Sequence, residues 1–318
     1  MGARRGPTVL RRRVSSEEAG LRLADVLRPW LVEALGRTVP MARVRALVAA
    51  GGARVDGVVR REAGRPTRAG EQVEAVVRPH LLRAKAEATD RPFRLGPETI
   101  LYRDEALLAV DKPPFLPTHA AADPSRPSLV ASVLGYLREA AGGVYLAVHQ
   151  RLDRDTSGVV LFVTDPRANE GLARAFEGRE VEKEYVALTA RPSSLPRRRF
   201  LVAAPLAEPG PGGARRVRVG GPGAKPAETA VLVREVLPRA LVVEARPRTG
   251  RKHQVRAHLA AAGMPILGDR VYGGGGAVPR LMLHARRLRL PHPLTGRPVV
   301  IESPLPADFR RVLSRLRS

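Results

Sequence analysis

The sequence predicts an α+β fold in two unequal parts. Two observations carry that reading. From about residue 101 onward, apolar runs of strand length alternate with few helical patterns and no regular strand–helix–strand repeat, which argues against a doubly wound sheet. Ahead of them, a short module of two helical patterns and a hairpin is set off by a charged, proline-punctuated stretch. A chain of 318 residues is long enough for one sizeable core or for two domains.

The elements follow in order. Residues 1–17 are arginine-rich and lack the apolar core of a secretory leader, so they predict a disordered basic arm, with a transit peptide as the alternative. Within 18–77, Leu23, Val26, Leu27, Trp30, Leu31 and Ala34 recur at helical spacing. A second helix follows Pro40, with Val44, Leu47 and Val48 on one face, and Gly51-Gly52 stops it. Arg54-Val55-Asp56-Gly57-Val58-Val59 predicts a tight hairpin, because Asp-Gly suits the positive backbone angles of a type I′ turn. Gln72 to Val77 supplies a further strand, and residues 78–98 read as a linker. The second domain, 99–318, opens with a strand near 107–112 that runs into a proline-rich turn. The apolar run Val159 to Val163 is the next strand. Asp165 and Pro166 start a helix with Ala168, Leu172 and Phe176 on one face, ended by Gly178. A strand carrying Tyr185 follows, then a stretch at 207–224 rich in glycine, proline and arginine that predicts a mobile loop. A strand at 240–247 precedes a helix within 249–269 that Gly263 closes.

Charge and cysteine usage narrow the function. Lysine and arginine number 55 against 31 acids, a formal net charge of +24. A GC-rich genome explains arginine in place of lysine. It does not explain the excess of base over acid, so the composition points to a polyanionic partner. No apolar run is long enough to span a bilayer and no amphipathic helix is flanked by exposed aromatics, which ranks a membrane surface below nucleic acid. The chain has no cysteine, which excludes disulfides, thiolate metal sites and cysteine nucleophiles and fits a cytoplasmic setting.

The most informative segment is AVHQRLDRDTSGVVLFVTD, residues 147–165. It places one carboxylate, Asp153, between arginines and Thr156-Ser157-Gly158 at the mouth of a strand, a plausible setting for a nucleophile or base. The segment resembles the catalytic motif of RluA-type RNA pseudouridine synthases, His-Arg-Leu-Asp-x-x-Thr-Ser-Gly, except that Gln150 separates His149 from Arg151. Further stretches resemble the same family in the same order. They are Asp111-Lys112-Pro113 with His119, Lys183-x-Tyr185, Thr249-Gly250-Arg251-Lys252-His253-Gln254-Val255-Arg256, and the ending LMLHARRLRLPHP at 282–293. The resemblance spans roughly 101–293 and implies a mixed, mainly antiparallel sheet. It implies an isomerase that converts uridine to pseudouridine in RNA, with Asp153 as nucleophile, Arg256 as its ionic partner and Tyr185 against the target base. The 18–77 module resembles the RNA-binding domain of ribosomal protein S-four. On that reading Arg43, Arg45 and Arg54, which crowd the junction of helix and hairpin, contact RNA; a solvated basic face is the alternative.

The chemistry needs few groups. The bond from ring nitrogen to ribose breaks, the base rotates and a carbon–carbon bond forms, so no redox cofactor or metal is required. A carboxylate can add to the ring, attack the anomeric carbon or assist glycal formation, and the sequence does not choose among these routes. A neighbouring arginine favours the ionised form that each route needs. Arg151, two residues before Asp153, is a candidate to fill the space left by a flipped base or to hold a flanking phosphate. Lys112 is a candidate RNA contact, with a rigid turn as the equal alternative. His253 and His258 are five residues apart, off the spacing of a helical metal pair, so no metal site is expected. His149, Asp153 and Ser157 crowd one short stretch without a nucleophile elbow, which argues against a hydrolytic triad. Gly273 to Gly276 lacks the lysine and following helix of a phosphate loop. The rivals are an RNA-binding protein without catalysis and a metal-dependent nuclease. The extra N-terminal domain, commoner in family members that act on large-subunit ribosomal RNA, favours that substrate over transfer RNA. No obligate protein partner is evident.

Overall fold

The computed structural model describes residues 8–36, 39, 41–49, 51–77, 93–119, 127–141, 145–194, 197–208 and 216–318. The chain divides into two compact units, Met1–Glu87 and Ala88–Ser318.

The first unit contains strands β1 (Thr8–Arg13), β2 (Ala53–Val55), β3 (Val58–Arg60) and β4 (Gln72–Val77) and helices α1 (Leu23–Leu35) and α2 (Met41–Ala49). The sheet order is β1-β4-β2-β3, antiparallel throughout. Its core joins Leu23, Val26, Leu27, Trp30 and Leu31 of α1 to Val44, Leu47 and Val48 of α2 and to Val55, Val73 and Ala75 of the sheet. Ala34, expected on the buried face, is exposed; the apolar stripe of α1 ends at Leu31. The Asp56-Gly57 turn has φ of 50° and 79°, the left-handed pair that a type I′ hairpin requires.

The segment expected to be a disordered arm is corrected in part. Residues 8–13 form β1, paired with β4 from Thr8↔Val77 to Arg13↔Gln72. Strand alternation explains how so basic a sequence can do this. Leu10 packs against the core of the unit, and Arg12 on the same face lies over the Trp30 ring, 5.9 Å from its centroid, and bonds Glu33. Arg11 points the other way and pairs with Glu74, its cross-strand neighbour, at 3.0 Å.

The second unit is built on a nine-stranded sheet. Its strands are β5 (Ile100–Arg103), β6 (Leu107–Lys112), β7 (Ser157–Val163), β8 (Glu182–Ala190), β9 (Arg199–Ala203), β12 (Glu228–Val236), β13 (Ala240–Pro247), β14 (Leu283–Pro291) and β15 (Pro298–Glu302), and β10 (Leu206–Ala207) and β11 (Arg218–Val219) make a separate ribbon. The order is β5-β6-β7-β14-β8-β13-β12-β9, with β15 on β14. Among the described residues only β7 and β14 pair in parallel, so the sheet is mixed and mainly antiparallel, as expected. Helices α3 (Leu129–Ala141), α4 (Arg167–Glu177), α5 (Gln254–Ala261) and α6 (Ala307–Arg317) complete the α+β unit. Of the predicted linker, 78–92 lies outside the described residues; Phe93 and Leu95 pack against the core beside Leu108 and Phe162 and belong to this unit. Of the predicted mobile loop, 209–215 lies outside the described residues, and its ends pair through Leu206↔Val219.

The helix α4 ends at Gly178 as expected, with its N–H bonded back to the Arg174 carbonyl. Gly178 sits at φ −71°, in the right-handed region, and Arg179 takes the left-handed position at φ 61°. Its start is as expected in substance: Asp165 Oδ1 accepts the Arg167 N–H at 2.9 Å.

One glycine positions the whole site. Gly158 has φ 114°, and a Cβ there would lie 2.1 Å from the Ala285 carbonyl oxygen. It is the point where β7 and β14 run parallel, through Ser157↔His284 and Gly158↔Ala285. Ala285 in turn faces Tyr185 on β8, and Tyr185 faces Ala245 on β13. A row of small residues thus brackets Tyr185 across four strands. Gly158→Ala should lower stability by about 3 kcal/mol or more, because neither φ nor space accommodates it. Gly135→Ala, in the interior of α3 with nothing within 4 Å of the added carbon, should raise stability by about 0.5–1 kcal/mol. Urea denaturation of the two variants beside the wild type checks both signs.

Candidate active site

The turn 153–156 that feeds β7 carries the central carboxylate. Thr156 N–H bonds the Asp153 carbonyl at 3.1 Å, and the Asp153 side chain keeps 22% of its surface exposed. Two tethers hold this turn from outside. Thr118 Oγ1 donates to the Leu152 carbonyl at 2.9 Å and accepts the Leu152 N–H at 3.1 Å. Lys112, fully buried, donates to the carbonyls of Pro113, Leu116 and Arg154 at 2.9, 2.8 and 3.1 Å. Asp153 is therefore flanked by two pinned residues.

Lys112 as an RNA contact is corrected by this geometry. Its ammonium has three donors and all three are spent on backbone carbonyls, with no exposed surface left for phosphate. Burial pushes it down to about 7, against the pull of Asp155 and Asp153. It shapes the turn.

Arg256 reaches Asp153 from the first turn of α5. Its Nη1 donates to Asp153 Oδ2 at 2.8 Å. Its Nε and Nη2 fork onto Asp269 at 2.7 and 2.9 Å. Asp269 has no exposed side-chain surface, and its Oδ1 also accepts the N–H groups of Val271 and Tyr272 at 2.9 and 3.1 Å. Burial works against the Arg256 charge, but the hydrogen bonds and charges of Asp269 and Asp153 outweigh it and its pKa moves up. Burial alone would raise Asp269; the Arg256 bonds and the two N–H groups bring it below its ordinary value. The guanidinium stays charged and the carboxylate it faces keeps a cation beside it.

Tyr185, half-buried, packs between the two core clusters that meet at β8. Burial first, and then the charge of Asp153, push its phenol up, so it stays protonated at neutral pH. Asp153, Tyr185 and Arg256 are thus brought together. Arg151 is exposed, and its charge adds to burial in pushing His119 down. His149 is turned to α4, where it bonds Asn169 at 2.7 Å and stacks on Phe176.

Sequence reasoning missed the second layer. Asp269 closes the stretch that begins at Thr249, the one signal available for it. Gln254, buried, accepts from Thr249 Oγ1 at 2.7 Å and Arg251 N–H at 3.0 Å and donates to the Glu228 carbonyl at 2.8 Å and Thr229 Oγ1 at 3.1 Å. It fixes the turn from which α5 starts. Tyr272 lies 5.3 Å from Arg256 and 5.4 Å from Arg216 across its ring. His258 is fully buried between Thr229 Oγ1 and the Ala204 carbonyl, both at 2.9 Å. No group of three or more histidine, aspartate or glutamate side chains suited to a metal occurs among the described residues. In the first unit, Arg45 on α2 and Arg54 on β2 are exposed, and the Arg43 side chain lies outside the described residues.

A carboxylate clamped by a buried arginine at a parallel strand junction, with a protonated tyrosine on a neighbouring strand, is chemically suited to nucleophilic or proton-transfer work. Comparison with known proteins makes the class specific. Residues 106–261 match the RNA pseudouridylate synthase family model. The chain is 33% identical to ribosomal large subunit pseudouridine synthase C of Escherichia coli K12, with 96% of each chain covered. It is 29% identical to ribosomal large subunit pseudouridine synthase D of Xanthomonas campestris, with 97% and 93% covered. Among solved structures, human RNA pseudouridylate synthase domain containing 4 matches with a TM-score of 0.58 and 26% identity, over 69% of this chain and 93% of that one. The chain belongs to the RNA pseudouridine synthases of RluA type and is an isomerase.

A buried network lies behind the site. Ser157 Oγ bonds His284 Nδ1 at 3.0 Å; His284 Nε2 meets the Ser303 carbonyl at 3.2 Å; Ser303 Oγ donates to Asp111 Oδ1 at 2.8 Å. His284 is fully buried, and burial pushes it down to about 4 from 6.5. Below 6.5 the unfolded chain takes up a proton that the folded protein refuses until about pH 4. Stability should therefore fall as pH drops through that window, by on the order of 3 kcal/mol from this group. His284→Gln should flatten that limb, as read by urea denaturation across pH 4–7.

Proposed function

We propose that this enzyme isomerises a specific uridine to pseudouridine in large-subunit ribosomal RNA, with Asp153 as nucleophile on a flipped-out nucleotide. The observation that carries the reading is the Asp153–Arg256–Asp269 chain of charge. The substrate assignment rests on the relatives, whose names specify the ribosomal large subunit and which align over nearly the whole chain. No helix among the described residues is long and apolar enough to cross a membrane, which is compatible with a cytoplasmic site of action.

The mechanism follows from what each group can do. Asp153 Oδ2 is occupied by Arg256, so Oδ1 is the oxygen left to act on the ring, on the anomeric carbon, or at the ribose in a glycal route. Tyr185, held rigidly on β8 between Ala285 and Ala245, offers a flat apolar face for the extruded uracil. Arg151, which is exposed, takes a flanking phosphate or fills the vacated stack on this reading. Overall, one proton leaves uracil C5 and one is gained at N1, so atoms balance without a cofactor or metal.

Asp153→Asn should remove isomerisation by at least about 10³-fold while RNA affinity changes little, since the amide keeps the shape and loses the nucleophile. Pseudouridine mapping on ribosomal and transfer RNA from a deletion strain complemented with each form reads both the loss and the substrate. Wild-type modification by Asp153→Asn would sink the site; a mark that disappears only from transfer RNA would move the substrate.

The first unit is proposed as an RNA-binding module like that of ribosomal protein S-four, with Arg43, Arg45 and Arg54 as its contacts. Arg45→Ala with Arg54→Ala should flatten the salt dependence of binding to large RNA by about 0.7–0.9 in log K against log salt for each phosphate no longer neutralised. Unchanged slopes would mean that these arginines are merely solvated.

A further inference from the structure

Arg256 gives Asp153 only one hydrogen bond, because its Nε and Nη2 are spent on Asp269. One bond to one oxygen leaves a carboxylate free to swivel about its Cβ–Cγ bond. The second oxygen, Oδ1, faces His253: Nε2 lies 3.8 Å away, longer than a hydrogen bond and within ion-pair range. The other ring nitrogen, Nδ1, is 3.2 Å from the Tyr272 hydroxyl. That hydroxyl accepts the Val217 N–H at 2.9 Å, so its own proton is available for Nδ1; the competing acceptor, the Val217 carbonyl, is at 3.5 Å. A proton given to Nδ1 leaves the hydrogen of a neutral imidazole on Nε2, toward Asp153. The backbone is built for this contact. His253 sits at φ 52°, a left-handed angle that a non-glycine residue keeps only where the surroundings fix it. Tyr272 meets the imidazole edge-on at 5.9 Å between centroids and holds the ring plane.

We propose that His253 is a positioning residue for Asp153, whose Nε2–H, set by Tyr272, holds the carboxylate oxygen that Arg256 leaves free. The inference rests on the reading of Asp153 as nucleophile. The contact closes to hydrogen-bond length when the site engages RNA, as catalytic contacts commonly do. The histidine works in its neutral form. An imidazolium would grip Oδ1 as an ion pair and force Tyr272 to turn its proton away. The groups facing it are Asp153 and Asp269, which favour its charge, and Arg256 and Lys252, which with burial oppose it. Burial dominates, so the neutral form prevails at neutral pH and activity carries an acid limb from His253.

The test uses the full chain, a large-subunit ribosomal RNA transcript, and single-turnover rates followed as label released from tritiated uridine C5 across pH 5–9. Asparagine tolerates the left-handed backbone but cannot reach Asp153; the glutamine amide nitrogen can occupy the place of Nε2. His253→Asn should slow turnover about 10- to 100-fold with RNA affinity unchanged within about threefold. His253→Gln should retain most of the rate and lose the acid limb. Tyr272→Phe, which leaves His253 in place but unset, should move the acid limb to higher pH. Equal losses in the asparagine and glutamine variants, or wild-type profiles in both, overturn the proposal. Asp153→Asn in the same assay separates the two readings: if it is inactive while His253→Asn is normal, only the role of His253 falls; if it is active, the nucleophile itself is wrong.

Discussion

The buried guanidinium of Arg256 is the interaction on which the site depends. It is shared between an interior carboxylate, Asp269, and the proposed nucleophile, Asp153, with side-chain exposures of 0% and 22%. A buried ion is costly, and removing one partner of a buried pair costs about 3–5 kcal/mol because the survivor is left uncompensated. Asp269 absorbs that constraint. Its fork onto Nε and Nη2 fixes the guanidinium plane, and the two backbone N–H groups of Val271 and Tyr272 fix Asp269 in turn. The remaining nitrogen, Nη1, then faces Asp153 with its direction already set, so little reorganisation is needed when charge shifts during the reaction.

The sheet supplies the other half of that placement. Asp153 and Arg256 come from segments 103 residues apart, and both are anchored to strands around β8. The parallel step between β7 and β14 brings the Asp153 turn to the rim, and the missing Cβ of Gly158 lets the two backbones close. Lys112 and Thr118 hold the turn from the β6 side through carbonyls on either side of Asp153. A turn tied at residues 152 and 154 cannot swing its central side chain far without breaking buried hydrogen bonds.

What the sequence discloses is mostly local. The Asp56-Gly57 hairpin, the apolar strand after Gly158, the helix closed by Gly263 and the grouping of Asp153, Tyr185 and Arg256 each follow from short-range chemistry or from motif order. What it hides is decided by distant partners. Arg11 and Arg12 read as a solvated arm because Glu74, Trp30 and Glu33, which neutralise or stack on them, lie well along the chain. Lys112 reads equally as an RNA contact or as part of a rigid turn because nothing local says that three carbonyls, one of them 42 residues away, will consume its donors. Gly178 does end its helix, but the left-handed conformation falls on Arg179 beyond it; the glycine's own position is crowded, with the Arg174 carbonyl 3.2 Å from where a Cβ would be. Asp269 has no signature of its own, and its role exists only once Arg256 is beside it.

The chain's charge poses a problem that this geometry resolves. A protein of net charge +24 is suited to gather polyanionic RNA, but the proposed nucleophile is itself an anion that has to approach a phosphate-linked nucleotide. A bare carboxylate would repel the flanking phosphates by about 1 kcal/mol each at 4 Å in water and by several in a drier site. Around Asp153 that repulsion is met twice. Arg256 neutralises it from the interior at 2.8 Å, and Arg151 and Arg216 are exposed, the latter stacked on Tyr272. On the proposed reading, the interior cation holds the carboxylate and the outer ones receive the backbone. The two duties fall to different arginines because a guanidinium buried between two carboxylates cannot turn outward to a phosphate without abandoning one of them.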